Sequence, residues 1–307
     1  VAALPPMILV YDQWRPYTKL HEPHGLAQFG GVSGETLNLI TMGNISAIQW
    51  TNSTWNVARG CTKVDEDCKY CYMYRDSFDG SRYNPLEIVR TKTVFNLPLK
   101  LKEPSLIFTS SLTDFFHPAI DSYRNEAWDI IRKCPQHTFQ ILTKRPERIN
   151  DHLPSDWGQG WDNVWLGTSV GSPKGMHRIY DLLTVPTKVR FLSMEPLHER
   201  VDMNIDIIDL INIHWVIIGG ESGNKNGKYK YRQCRIEWIE ELIKDFTPTT
   251  AIFVKQLGTY LAKEMKLSDR HGGKMSEWPD HLQIRQMPQI IGTDARALAD
   301  REKQTDR

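Results

Sequence analysis

The chain has 307 residues, 40% hydrophobic and 24% charged, with 38 basic side chains against 37 acidic ones. That length supports a large core or about two domains, and the composition excludes a mostly disordered chain or a polybasic nucleic-acid arm. With a net charge of +1, any attraction to phosphate has to come from a local patch.

No apolar run approaches the roughly 20 residues of a membrane-spanning helix, and Met7 to Val10 is too short for a signal-peptide core. The expectation is a cytoplasmic protein with no membrane partner. Residues 1–41, mixed and punctuated by Gly and Pro, read as an N-terminal extension, and Met42 opens the folded domain with MGNISAIQW. A first strand is expected near Ser46 to Asn52, ahead of a cysteine cluster. A helix is expected from Pro85 to Leu97. From there short β-branched runs alternate with amphipathic stretches. The strands expected are Ser105–Ser110, Thr138–Lys144, Val164–Val170, Val189–Glu195, His214–Gly220 and Ala251–Gln256, starting 33, 26, 25, 25 and 37 residues apart. Each gap holds one helix and two loops. Helices are expected at Asp121–Lys133, Arg145–His152, Gly175–Leu183 and Ile236–Asp245, with Pro146 suited to a first helical turn. Residues 259–307 read as a polar C-terminal extension ending in a charged tail, 297–307.

This α/β pattern over residues 42–258 fits a partial (β/α)6-type barrel. A doubly wound open sheet uses the same alternation, although no glycine-rich dinucleotide fingerprint follows the first strand.

Three of the five cysteines fall within eleven residues, as Cys61, Cys68 and Cys71 in a C-x6-C-x2-C spacing. The crowding suits a metal site in a reducing compartment better than a disulfide framework. Structural zinc and iron–sulfur clusters normally take four protein ligands. Three thiolates on a four-iron cluster leave one iron open. The other readings are a zinc knuckle completed by a histidine, Cys134 or Cys234, and unligated thiols. Cys134 and Cys234, without a second ligand at motif spacing, read as ordinary core or surface cysteines.

Several blocks together resemble a known family. They are Ile48 to Cys61 (IQWTNSTWNVARGC), the cysteine triplet, Leu112 to His117 (LTDFFH), Pro135 to Pro146 (PQHTFQILTKRP), Val164 to Val170 (VWLGTSV), Arg190 to Pro196 (RFLSMEP) and Gly219 to Gly223 (GGESG). From about Met42 to Gly258 the chain looks like the phage-associated radical-SAM-like proteins. The resemblance implies a radical SAM barrel, a [4Fe–4S] cluster on Cys61, Cys68 and Cys71, S-adenosylmethionine as cosubstrate, and a flavodoxin- or ferredoxin-type electron donor. It also implies a radical isomerase, lyase or related enzyme acting on a nucleotide or modified DNA base. The departures are a gap of six residues where three are usual, and Phe108-Thr-Ser-Ser111 where Gly-Gly-Glu usually follows the second strand. A non-catalytic zinc or iron–sulfur module in phage–host interaction is the alternative.

Barrel sites collect at the carboxyl ends of the strands. Ser110, Ser111 and Glu195 are expected to contact the cosubstrate's amino group or ribose. Lys144 or Arg145 would pair with its carboxylate or with a substrate phosphate. Ser169 and Glu221 close their own strands, and Gly219 and Gly220 would let backbone approach the cosubstrate. Helix caps and exposed ion pairs are the plainer reading of these residues. Asp65, Glu66 and Asp67 read as solvated loop charge, and Trp55, Trp165 and Trp215 as core residues rather than base-stacking platforms.

Overall fold

A computed structural model describes residues 46–77, 84–224, 230–246 and 250–289. Strand β1 (Ser53–Trp55) leads into a two-stranded antiparallel ribbon of β2 (Ala58–Arg59) and β3 (Val89–Arg90), which brackets the cysteine loop and α1 (Tyr72–Ser77). Then follow β4 (Leu106–Thr109), α2 (Asp121–Arg132), β5 (Thr138–Thr143), β6 (Val164–Ser169), α3 (His177–Leu183) and β7 (Val189–Leu197). After these come α4 (Ile207–Leu210), β8 (Trp215–Gly220), α5 (Ile236–Phe246), β9 (Ala251–Gln256) and α6 (Gly258–Glu264).

Seven strands form one parallel sheet in the order β1-β4-β5-β6-β7-β8-β9. The order never reverses, so each connection returns the chain to the next position. A doubly wound sheet needs a reversal, at its switch point. The fold is a partial (β/α) barrel.

Alternation along the strands feeds two cores. Ile107, Ile141, Leu166, Leu192, Val216, Ile218, Ile252 and Val254 belong to the larger core with the helices. Phe108, Trp165, Phe191, Trp215, Ile217 and Phe253 form the inner one, joined by Trp50 ahead of β1. Trp50 meets Phe108 at 4.6 Å and Trp215 at 5.9 Å between ring centroids. Contact between residues at the first and the sixth strand positions requires the sheet to curl. Gly167 makes that packing possible, since a Cβ there would lie 2.5 Å from the Phe191 ring.

The six strands from β4 to β9 and the helices α2, α3 and α5 match their expected positions. Three expectations are corrected. Residues 46–52 form a turn, and the first strand begins at Ser53. Pro85–Leu97 is irregular apart from β3, because this stretch pairs with β2 and folds back over the cysteine loop. Arg145–His152 forms two 3-10 turns, Pro146–Arg148 and Asn150–His152. Arg145 and Arg148 there are held sideways, on Asp114 and on Asp121 and the Phe116 carbonyl.

Beyond α6, Val254 donates its N–H to Ile284 (2.8 Å) and Gln286 donates to Ile252 (2.7 Å), which covers the outer edge of β9. Residues 1–41 and the tail 297–307 lie outside the described residues. Among the described residues no helix is long and apolar enough to cross a membrane.

Candidate functional site

At the carboxyl end of the sheet the inward positions change from apolar to polar two residues at a time. Phe108 is followed by Ser110, Leu142 by Lys144, Gly167 by Ser169, Phe191 by Ser193 and Phe253 by Lys255. These polar residues line a cavity of about 230 Å³ whose floor is Ile48, Trp50, Phe108 and Leu142.

The cysteine loop forms the cavity's other wall, and Cys61, Cys68 and Cys71 all line it. Gly60, at φ +92°, starts the loop under the 84–88 segment, where a Cβ would lie 2.2 Å from the Glu87 carbonyl oxygen. Only glycine fits. Cys61 N–H then donates to the Pro85 carbonyl (3.0 Å), Cys68 ends a 3-10 turn over Glu66–Cys68, and Cys71 precedes α1. The Tyr74 hydroxyl donates to the Cys61 carbonyl at 2.7 Å. Burial and then the three neighbouring thiols push the Tyr74 phenol up. Among the described residues no three His, Cys, Asp or Glu side chains are placed to hold one metal ion.

Behind Cys61 sits a buried ion pair. Arg145 Nη1 donates to Asp114 (2.9 Å) and lies 4.0 Å from Cys61 Sγ, while Nη2 donates to both the carbonyl and the hydroxyl of Thr62 at 2.9 Å. Asp114 also accepts from Thr143 Oγ1 (2.6 Å) and Lys144 N–H (3.0 Å). Burial, with Asp114 adding to it, pushes the Cys61 thiol up to about 12. The unligated thiol therefore keeps its proton at neutral pH, and a bound metal would displace it. His117 Nε2, 2.9 Å from Thr62 Oγ1, is held below the usual histidine range by burial and then by Arg145.

The acidic trio corrects its expected role. Asp67 is buried, accepting from His198 Nε2 (2.7 Å), Gly171 N–H (3.1 Å), Arg178 Nη1 (3.2 Å) and Ser172 Oγ (3.3 Å). Burial alone would raise its pKa, but the His198 hydrogen bond, the Lys144 charge and the Gly171 N–H together bring it down to about 2. Asp65 caps the 3-10 turn by accepting from Asp67 N–H (2.9 Å) and also pairs with Arg178. Of the trio only Glu66 behaves as solvated charge, paired with Lys69 at 3.2 Å. The loop is thus riveted to β6, α3 and the end of β7.

Six of the expected residues, Ser110, Ser111, Lys144, Ser169, Glu195 and Glu221, come together in the cavity lining. Ser110 holds φ +70°, and among the described residues its buried hydroxyl has no hydrogen-bond partner. Ser111 exchanges hydrogen bonds with Asn56 and accepts at its carbonyl from the Tyr72 hydroxyl. Among the described residues the Lys144 ammonium meets no hydrogen-bond or ion-pair partner. Glu195 takes Lys255 Nζ at 2.7 and 3.0 Å and Gln256 Nε2 at 3.0 Å. Glu221 accepts from Arg232 Nε (2.9 Å) and Nη2 (2.7 Å), and Arg232 also donates through Nη1 to the Glu66 carbonyl (2.7 Å) and lies 5.5 Å from the centre of the Tyr70 ring.

Gly219 and Gly220 stand outside the lining. A Cβ on Gly220 would lie 2.2 Å from the Leu257 carbonyl oxygen, and one on Gly219 3.2 Å from the Glu195 carboxyl. Cys134 and Cys234 are buried away from the loop, and Trp55, Trp165 and Trp215 are buried in the two cores. Sequence reasoning missed Asp67, Arg178, His198, Arg232 and Tyr74. Asp67 and Tyr74 carried a signal, proximity to the cysteines; the others had none.

A family model described as "Protein of unknown function (DUF5131)" matches residues 45–288. No curated protein is significantly similar to the chain. Among solved structures, a spore photoproduct lyase double mutant with bound AdoMet and dinucleoside spore photoproduct is 13% identical. The match has a TM-score of 0.48 and covers 73% of this chain and 87% of that one. Two further spore photoproduct lyase mutants, 13% and 14% identical, have TM-scores of 0.47 with the same coverage.

Proposed function

Because the chain belongs to the family described as "Protein of unknown function (DUF5131)", a name that carries no activity, we propose its function from the site: a radical S-adenosylmethionine enzyme acting on a nucleotide or modified DNA base. The observation that carries this reading is the meeting of three thiols, and no fourth among the described residues, with the polar carboxyl ends of six parallel strands around one cavity. Three thiols lining one cavity match the protein ligand count of a [4Fe–4S] cluster with one open iron, whereas a closed structural zinc site takes a fourth protein ligand. Cys61, Cys68 and Cys71 would hold the cluster, which together with S-adenosylmethionine would supply one-electron radical chemistry at an unreactive carbon.

The chain's own residues hold, orient and exclude water. Arg145 keeps a cation beside Cys61 and ties the loop to β5. Lys144 offers an ammonium for a carboxylate or phosphate. Ser110, Ser111 and Ser169 add hydrogen-bonding groups at the rim, and Glu195 with Lys255 and Gln256 forms a fixed polar patch opposite. The apolar floor of Trp50, Phe108 and Leu142 suits a flat base. A phage setting, which the sequence resemblance implies, gives such chemistry a natural substrate in a modified pyrimidine. The electron would come from a flavodoxin- or ferredoxin-type donor. Anaerobic reconstitution with iron and sulfide tests the reading. It should give about four irons per chain, with 5′-deoxyadenosine formed after reduction and lost in Cys61→Ala. Stoichiometric zinc with no such product would support a non-catalytic module instead.

A further inference from the structure

A second cavity, of about 250 Å³, lies beside the loop after β8, where Gly223 lines it two residues beyond Glu221 of the first. Gly223 is fastened to its far wall, donating its N–H to Thr259 Oγ1 at 2.8 Å. Among the described residues the charged ones lining this cavity are Lys263, Lys266 and Arg270, and none is acidic. Among the described residues none of the three is within ion-pair distance of a carboxylate. Lys263 meets the hydroxyl and ring of Tyr231, and Arg270 Nε lies 3.0 Å from His271 Nε2.

The acids nearest in sequence are occupied elsewhere. Asp269 accepts from His271 N–H (3.0 Å) and Gly273 N–H (2.7 Å), and Glu277 from Ser268 N–H (2.8 Å) and Lys274 (2.9 Å). Glu264 takes the Tyr260 hydroxyl at 3.3 Å. In a chain whose charges otherwise balance, three cations around one concavity form the kind of local patch that phosphate binding needs. Lys263 and Lys266 also complement the carboxyl end of α6, but Arg270 lies beyond the helix and that explanation omits it. Guanidinium and ammonium groups together suit a phosphate's several oxygens.

We propose that this cavity binds a backbone phosphate of the nucleic-acid strand whose base enters the first cavity, with Lys266 and Arg270 as its principal contacts. The choice of nucleic acid rests on the function proposed above; the affinity for phosphate does not.

The test is binding of a fluorescein-labelled single-stranded DNA dodecamer to the full chain, followed by anisotropy across a potassium chloride series. Lys266→Ala/Arg270→Ala should weaken binding roughly tenfold at low salt. It should also flatten the logarithmic salt dependence by about 0.7, the share of one phosphate contact on a single strand. Lys266→Arg should keep the wild-type slope, and the melting temperatures of the variants should match, which separates lost contacts from lost fold. Competition by thymidine monophosphate as effective as that of unlabelled dodecamer would overturn the backbone assignment in favour of a free nucleotide phosphate. Equal affinity and slope in wild type and the double variant, or no binding by wild type, would overturn the site. Formation of 5′-deoxyadenosine by the reconstituted chain, measured without DNA, reports on the proposed function separately. Product without phosphate-dependent binding refutes the site alone, and binding without product refutes the radical reading alone.

Discussion

Arg145 holds together groups far apart in the chain: the Asp114 carboxylate after β4, the Thr62 backbone in the cysteine loop and, at 4.0 Å, the Cys61 sulfur. Removing one partner of a buried ion pair leaves the other uncompensated. Arg145→Met should therefore cost about 3 kcal/mol in urea unfolding, since Asp114 would keep its hydrogen bonds from Thr143 and Lys144 but lose its cation. Thiol substitutions should divide cleanly. Cys61→Ser, Cys68→Ser and Cys71→Ser should each lower the iron retained after reconstitution, whereas Cys134→Ala and Cys234→Ala should keep it at about four per chain, since both are buried in the core. The cysteine trio and the polar strand ends were legible because their signal is local, a spacing or a period of two. Asp67 was not, because Gly171, Ser172, Arg178 and His198 lie 104 to 131 residues downstream. An acidic run beside cysteines looks solvated until those partners arrive.

Strand alternation placed six of the seven sheet strands, since each is a β-branched or aromatic run long enough to carry a period. β1 has only three residues, Ser53–Trp55, and its neighbourhood gave no such period. Helix expectations failed where side chains are tied outward: the stretch after β5 tightens into 3-10 turns around Pro146, with Arg145 and Arg148 drawn to neighbouring elements. Between β6 and β7 the packing is set by a missing side chain. Gly167→Ala would put a methyl 2.5 Å from the Phe191 ring, so that ring or the strand must shift. The expected loss is about 2 kcal/mol, the usual scale for overpacking. The urea midpoint should fall while the slope stays constant.

For the whole molecule, the cysteine loop is fixed to the barrel through a carboxylate whose pKa is depressed to about 2 on folding. A depressed carboxylate stabilises fully above its unfolded value of about 4, and that contribution is lost as pH falls through the folded value. Stability should thus drop by about 2 kcal/mol between about pH 5 and about pH 2 on account of Asp67. Asp67→Asn should start lower and lose correspondingly less over that window, as read from urea unfolding across pH. The fold class was legible because the βα units recur at nearly even spacing. The curl that makes a cavity was not, because it depends on Trp50 and Trp215 meeting across the sheet. The central claim is that three thiols, with no fourth thiol among the described residues, face the cavity. The most direct measurement is anaerobic reconstitution followed by reduction in the presence of S-adenosylmethionine, with 5′-deoxyadenosine quantified against iron content. The account predicts a four-iron cluster and 5′-deoxyadenosine from the wild-type chain, and neither from Cys68→Ala. A chain that takes up zinc at one ion per molecule, or holds a cluster through a fourth side chain and makes no 5′-deoxyadenosine, would contradict it.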